Sequence, residues 1–361
     1  MASQHHISTT LEERGFDRPL FLSVILLVAF GIVMVYSASA VRAAYELGDP
    51  AHFLVRQVIF AVLGILAMLI ASLIDYRWYK KIVYPLLGLS IFGLVLCYTP
   101  FGRTINGASR WIGLGPMTVQ PAEVVKLALV LWLSYSLAKK SDKIKSFSVG
   151  FLPHLLVPGI VILLCLPQPD FGTSVIIAGV TFSLLFVAGA KIGYIMAAVI
   201  CAMPIVYFLV AGSEYRLKRV FAFLDPVSHR YDEAYQLIQS LYGFAGGGMW
   251  GTGLGDGLQK FFFLPEAHND FIAAIIAEEF GVVGMWILIL VFGILLARGV
   301  MIALRARDEF GTYVAFGITI LIGVQTLANL GVSMGLLPTK GLNLPFISAG
   351  GSALVVSLYS V

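Results

Sequence analysis

Ten apolar runs, most of them close to twenty residues long, follow one another along this chain: roughly 19–40, 53–74, 82–99, 121–138, 150–167, 172–190, 192–212, 271–297, 311–335 and 344–361. A helix needs about 20 residues to cross the ~30 Å hydrocarbon core of a bilayer, and inside that core each backbone N–H and C=O must find its partner within the protein. Runs of this length and number demand a bundle of membrane-spanning helices. They are continuous rather than alternating, so they do not fit the strands of an outer-membrane barrel. Composition agrees: 59% of the residues are hydrophobic and 12% charged, where a soluble domain is about a quarter charged, and mean hydropathy is +0.90. The expected fold class is an all-α polytopic membrane protein of about ten transmembrane helices, with one large loop between the seventh and eighth. Residues 1–18 form an N-terminal segment and 19–361 a single transmembrane domain.

The ends and the cysteines add little. About 19 polar residues precede a full-length apolar run, so no cleavable signal peptide is expected. The chain stops at Val361 within the tenth run, so a polar tail beyond it is expected. Cys97, Cys165 and Cys201 lie in apolar segments without pairing or metal-like spacing and read as small core residues. The net charge of +4 is modest and spread over loops, which gives no indication of nucleic acid.

Lysine and arginine in the short loops set the orientation. Arg14, Arg18, Arg77, Lys80, Lys81, Lys139, Lys140, Lys143, Lys145, Lys191, Arg298, Arg305 and Arg307 fall on one side, 13 in all. Arg42, Arg56, Arg103, Arg110 and Lys340, 5 in all, fall on the other. The N-terminus is therefore expected in the cytoplasm, and the 213–270 loop outside. No Gly-rich phosphate loop of the P-loop type lies on the cytoplasmic side, so ATP is not the expected energy source. The 213–270 loop is too long for a connector. Leu217, Val220, Phe221 and Leu224 recur at helical spacing with Arg216, Lys218 and Arg219 between them, the pattern of a short basic helix in the headgroup layer. A second helix is expected from about Ser228, with Ala234, Leu237, Ile238, Leu241 and Tyr242 on one face. The glycines at 246–248, 251, 253, 255 and 257 predict a flexible hinge or a surface closely approached by substrate. No strand precedes them, which argues against a dinucleotide site. No internal repeat is visible in the spans, which weighs against an inverted-repeat transporter.

The residues that can carry chemistry are few, and each has a plain reading beside the functional one. Asp270 opens the eighth span after Glu266 and His268. It reads equally as a helix N-cap and as an ionised base at the mouth of an apolar cavity. Glu278 and Glu279 follow about two turns deeper, as interior polar groups or as interfacial ones. Glu123 and Lys126, three apart after Gln120, form a structural pair or present a lysine to an anionic headgroup. Arg110 beside Trp111 is an interfacial anchor or a phosphate contact with a sugar-stacking ring. Asp170 in the Gln168–Thr173 turn caps the sixth helix or binds. Lys340 and Ser352 belong to a turn and a small-residue helix entry, where Gly350 and Gly351 permit close packing. Cationic groups on the outer side with one carboxylate suit an anionic, lipid-linked substrate handled without ATP. The residues alone do not name it.

Taken together, Asn106–Ile112, Gln120–Lys126, Gln168–Thr173, Asp225–Ser240, Gln259–Glu279 and Leu337–Ser352 resemble the SEDS family (shape, elongation, division and sporulation) of bacterial cell-wall proteins. The likeness spans nearly the whole chain. Pro338-Thr339-Lys340-Gly341-Leu342 has the form of its FtsW-like division branch rather than the RodA-like one. Asn269 stands where threonine is usual, and Ala349 where an aromatic is common. The resemblance implies a peptidoglycan glycosyltransferase in the cytoplasmic membrane that polymerises lipid II, an undecaprenyl-pyrophosphate-linked disaccharide peptide. Asp270 would be its general base and Trp111 its conserved tryptophan. The acceptor's GlcNAc 4-hydroxyl would attack C1 of the donor's MurNAc with inversion. Arg110, Lys126 and Arg216 would face the departing pyrophosphate, with Gln120, Glu123, Lys340 and Ser352 also at the substrate. Glu266, His268, Glu278, Glu279 and Asp170 would support them. A divalent cation, magnesium or manganese, is an open alternative for which the sequence holds no ligand cluster. The implied partners are a single-span class B penicillin-binding transpeptidase, other division proteins and membrane lipids, with no nucleic acid. The competing readings are a lipid II flippase, using Glu123–Lys126 and Glu278/Glu279 as waypoints, and a non-catalytic division scaffold.

Overall fold

A computed structural model describes residues 16–361 apart from 106, 115 and 116; Arg14 and Asn106, both singled out above, lie outside the described residues. Among the described residues eight helices are long and apolar enough to cross a membrane. They are α1 (Arg18–Leu47), α2 (His52–Leu73), α3 (Tyr79–Leu96), α4 (Pro121–Lys139), α5 (Leu152–Cys165, entered through a π-turn at Phe147–Phe151), α7 (Ile192–Ala211), α10 (Ile272–Leu304) and α11 (Glu309–Ser333). Two shorter apolar helices, α6 (Phe171–Val187) and α12 (Gly351–Ser360), stand where the sixth and tenth runs were expected. The chain is a multi-pass membrane protein. Its outward-facing aliphatics, among them Leu66, Ile70, Leu89, Leu163, Ile200 and Leu290, are exposed, as they must be where lipid rather than protein is the neighbour.

Two helices carry the interior. Almost every side chain of α4 from Pro121 to Leu137 is buried, enclosed by α3, α5, α6, α11 and α12. The other hub is the first third of α10, where Ile272 to Glu279 are all buried among α1, α9 (Tyr235–Gly247) and the loop that follows α9. Beyond Gly281 the exposed residues Val282, Trp286, Ile287 and Leu290 show that α10 turns a face to lipid. Gly281 marks the change with a left-handed φ of 64°, breaking the helix in two. At about 1.5 Å per residue α1 is about 45 Å long, half as long again as a hydrocarbon core. Its last turns pack beside the first third of α10, where Ser37 meets Glu279 and Arg42 meets Glu266. Glu278 and Glu279 are buried in protein.

Four expectations change. Residues 102–119 form a three-stranded antiparallel sheet, β1 (Gly102–Ile105), β2 (Ala108–Leu114) and β3 (Met117–Val119), in the order β1-β2-β3, so the fold is mostly helical rather than purely so. The tenth run is helical only from Gly351. Pro345 removes a donor, and Phe346 takes a left-handed φ of 66°, so residues 344–350 pack as an irregular buried segment. The second loop helix begins at Tyr235, not near Ser228, and its buried face runs through Leu237, Ser240, Gly243 and Gly247 while Leu241 and Tyr242 are exposed. Two of the glycines serve close packing. A Cβ at Gly247 would stand 1.9 Å from the Ala277 carbonyl oxygen, and one at Gly251 2.1 Å from that of Glu279. They let α9 and the loop press backbone to backbone on α10. Gly247→Ala should therefore cost about 1–3 kcal/mol through overpacking, read as a lowered Tm in detergent. An unchanged Tm would show that the two helices can part without penalty.

The amphipathic helix at the start of the large loop is present as α8 (Glu214–Leu224), two residues after α7 ends.

Candidate active site

Asp270 is presented by an irregular segment. Glu266 adopts φ 54°, and its carbonyl oxygen accepts from the backbone N–H groups of Asn269 and Asp270, both at 3.1 Å. The helix starts one residue beyond, with Phe271 in the N-cap position and no side-chain cap. Asn269 donates its amide to Glu266 Oε2 at 2.7 Å instead. Asp270 is not a cap, and among the described residues its carboxylate accepts no hydrogen bond. What holds it is backbone. Asn329, in the last turns of α11, donates from Nδ2 to the Asp270 carbonyl at 2.9 Å and also to that of Leu342. Ser348 Oγ donates to Asn269 O at 2.6 Å and accepts from Leu344 N at 2.8 Å, while Ala349 N donates to His268 O at 3.0 Å. The 266–270 and 337–350 segments are thus stitched into one body. Gly341 lies against the carboxylate: a Cβ there would be 2.7 Å from Asp270 Oδ2.

Cations from three other elements converge on this point. Arg110 on β2 donates from Nε to Gln168 O at 3.0 Å and also to Pro169 O. Arg216 on α8 donates to Leu209 O at 2.9 Å and Leu166 O at 3.4 Å. Arg219, one turn on, donates to Thr339 O at 3.0 Å. The Lys340 ammonium sits 4.8 Å from the centre of the Phe171 ring. Arg110 and Arg216 donate to neutral carbonyls, which fix their position without cancelling their charge. Burial pushes the Asp270 carboxyl up to about 7; the negative charges of Glu266 and Asp170 add to the rise, and Arg110 and Arg219 only partly offset it. Burial, followed by Arg219, Arg216 and Arg110, brings Lys340 down to about 8. A carboxylate that ionises near neutrality, set among cations, can take a proton from a neutral hydroxyl while an anionic group binds beside it.

The remaining candidates divide. Asp170 is buried and caps α6, accepting from Thr173 N at 3.2 Å and Thr173 Oγ1 at 2.8 Å, yet it is close enough to act on Asp270 and Lys340. Trp111 is half-buried on β2 and, by strand alternation, on the opposite face from Arg110. Lys126 does not open onto this pocket: it is 3% exposed, with its ammonium 2.9 Å from Glu123 Oε1. Gln120 and Ser352 meet each other, backbone N to Oγ at 3.2 Å. Glu266 faces Arg42 at 3.6 Å. His268 is buried with its ring 4.6 Å from that of Phe53, and burial lowers its pKa. Glu278 accepts from Leu258 N (2.8 Å) and Gln259 N (3.1 Å), and Glu279 from Lys260 (2.8 Å) and Ser37 (2.6 Å). These two hold the glycine-rich loop to α10, and with the closed Glu123–Lys126 pair they are no series of waypoints. Among the described residues no three His, Cys, Asp or Glu side chains gather to hold a metal ion. Glu266 and Asp170 act on Asp270 through their charge but do not gather with it into such a set, and no step below passes through a metal ion.

Sequence reasoning missed Arg219, Asn329, Gly341 and Ser348 as parts of the site. Arg219 lies three residues from Arg216 on the same helix face, and Asn329 is a polar residue within an apolar span; both were signals. Gly341 and Ser348 gave none.

Fold and site together define a polytopic membrane protein that keeps one unpaired carboxylate among fixed cations at one end of its bundle. The chain matches the profile of the cell cycle proteins FtsW, RodA and SpoVE over residues 17–361 and belongs to that family. It is 46% identical to the probable peptidoglycan glycosyltransferase FtsW of Trichlorobacter lovleyi, over 96% of this chain and 91% of that one. It is 40% identical to the stage V sporulation protein E of Bacillus subtilis, over 98% and 96%. Among solved structures it is similar to a chain from work on the structural coordination of polymerization and crosslinking by a peptidoglycan synthase complex (TM-score 0.80, 29% identity, 96% of this chain and 95% of that one). It is also similar to the rod shape determining protein RodA of Thermus thermophilus (TM-score 0.66, 28% identity, 96% and 94%).

Proposed function

We propose that this chain is a peptidoglycan glycosyltransferase that polymerises lipid II, with Asp270 as the general base. The observation that carries the assignment of the base is its isolation: an uncapped carboxylate, without a hydrogen-bond donor among the described residues, within the field of Arg110 and Arg219. The acceptor hydroxyl gives its proton to Asp270 as its oxygen bonds to C1 of the donor sugar. The C1–O bond to the pyrophosphate breaks, and undecaprenyl pyrophosphate leaves with the bonding pair. Arg110 and Arg216, held by neutral carbonyls, are placed with Lys340 to receive that charge without reorganising. The lysine and arginine bias supports a cytoplasmic N-terminus, with Asp270 on the outer face of the cytoplasmic membrane and the product used in septal wall synthesis. The likeness to a chain of a peptidoglycan synthase complex supports a penicillin-binding transpeptidase as partner, which would crosslink the strands.

The test is purified protein with its transpeptidase partner and labelled lipid II. Glycan strands are expected; their absence from an otherwise folded, partnered protein would sink the assignment. A second measurement is the pH profile of kcat/KM, which reports the free enzyme. The base works ionised, so activity should be lost on acidification through about 7, not near the usual carboxylate range. Lys340 works as a cation, so activity should also fall as pH rises past about 8. A bell is expected, and a flat profile over roughly pH 6–9 would speak against both roles.

A further inference from the structure

Helix α8 has three faces, not two. At about 100° per residue, Arg216, Arg219, Ala222 and Phe223 share the arc turned to the bundle, where Ala222 is 2% exposed and the two arginines reach the carbonyls of Leu166, Leu209 and Thr339. Glu214 and Lys218 share a second arc, exposed and paired with each other at 2.8 Å. Leu217, Val220, Phe221 and Leu224 share the third. Among the described residues this third arc is only partly covered: Leu217 and Val220 are half-buried, while Phe221 is 52% and Leu224 70% exposed. What covers it follows from chain continuity. Helix α7 ends at Ala211 and α8 begins at Glu214, and not one residue of α7 is buried by protein. A 20-residue apolar helix with no buried residue, packed on the bundle through Tyr194, Ile195 and Ala198, faces lipid over most of its surface, and only Gly212 and Ser213 separate its end from α8. An apolar arc at that level meets the edge of the same bilayer.

We propose that α8 is seated in the membrane surface through Leu217, Val220, Phe221 and Leu224, and that this seating sets Arg216 and Arg219 against the Asp270 pocket, making the phospholipid surface a structural partner of the site. Arg216 and Arg219 lie on one rigid helix with the anchoring residues, so the depth of α8 in the bilayer fixes where their guanidinium groups stand. The tie from Arg219 to Thr339 extends that control to the segment carrying Lys340 and Gly341. Lipid thereby supplies the packing that α7 and α8 do not obtain from the rest of the chain.

Seating is tested without reference to activity; the consequence for the site rests on the glycosyltransferase reading. In a Cys201→Ser background, since Cys97 and Cys165 are buried, spin labels are placed by Leu224→Cys and, separately, Lys218→Cys in protein reconstituted into phosphatidylglycerol–phosphatidylethanolamine nanodiscs. The label at 224 should collide with oxygen and be shielded from a water-soluble nickel chelate, and the label at 218 should show the reverse. Equal access of the chelate to both would overturn the seating. For the consequence, Phe221→Ser/Leu224→Ser is compared with Phe221→Leu/Leu224→Met in the lipid II assay. The serine pair should lose about tenfold in kcat/KM (about 1.4 kcal/mol of barrier) with an unchanged Tm, and the apolar pair should stay within about twofold. Full activity of the serine pair would overturn the coupling. If the wild-type protein makes no glycan, the functional reading fails while the labelling result still stands or falls by itself.

Discussion

Asp270→Asn is expected to lower lipid II polymerisation on the order of 10²- to 10⁴-fold, the range a positioned general base contributes, without lowering Tm. Both halves follow from the same geometry. The amide keeps the shape of the carboxylate but cannot accept the hydroxyl proton. Stability should not suffer, because the side chain caps no helix and accepts no hydrogen bond among the described residues, while burial already disfavours its ionised form. In sign, a carboxyl whose folded pKa lies above its unfolded one loses stabilisation as pH rises from the usual carboxylate range to about 7. Above that pH the neutral amide should be at least as stable as wild type. A capping aspartate would behave oppositely, losing about 0.5–2 kcal/mol on removal. A substantial Tm drop with activity retained would return Asp270 to a structural role.

Lys260→Met should be the most destabilising of the single changes considered, about 3–5 kcal/mol, because it strips the partner from a buried carboxylate. The Lys260 and Glu279 side chains are 4% and 0% exposed, and among the described residues Glu279 retains only Ser37 as a side-chain partner if the ammonium is removed. The same ammonium also binds the Gly255 carbonyl, so the glycine-rich loop should loosen with it. Pairing Lys260→Met with Glu279→Gln should recover a large part of the loss, since no charge is then left buried. The measurement is Tm and proteolysis of the 249–260 loop in detergent for both singles and the double. Strictly additive losses would mean that the two side chains act independently.

The comparison of sequence with structure is sharpest at the acidic residues. Five of them in the 266–279 and 123–170 stretches look alike in the sequence: scarce carboxylates near the ends of apolar spans. Asp170 turned out to cap its helix, Glu123 to pair three residues away, and Glu278 and Glu279 to bind a loop and a lysine roughly twenty residues back. Only Asp270 was left without a donor. Local spacing can suggest a cap or an i,i+3 pair, but whether the donor arrives depends on where the backbone turns. Here Glu266 in a left-handed conformation starts the helix one residue too late for Asp270 to cap it.

What the sequence determined by itself was the class of object. Apolar runs long enough to span a bilayer leave the backbone no alternative to helices, and a basic apolar repeat at 216–224 is a helix for the same elementary reason of periodicity. Even the cations Arg110, Arg216 and Lys340 could be named from their scarcity. Tertiary structure decided which of them meet. Asn329 and Ser348 join two segments some seventy residues apart into one wall, Arg219 reaches across from α8, and Lys126 turns inward to Glu123. Those outcomes rest on backbone carbonyls and close glycine contacts, groups that every sequence contains and that acquire meaning only from what packs beside them.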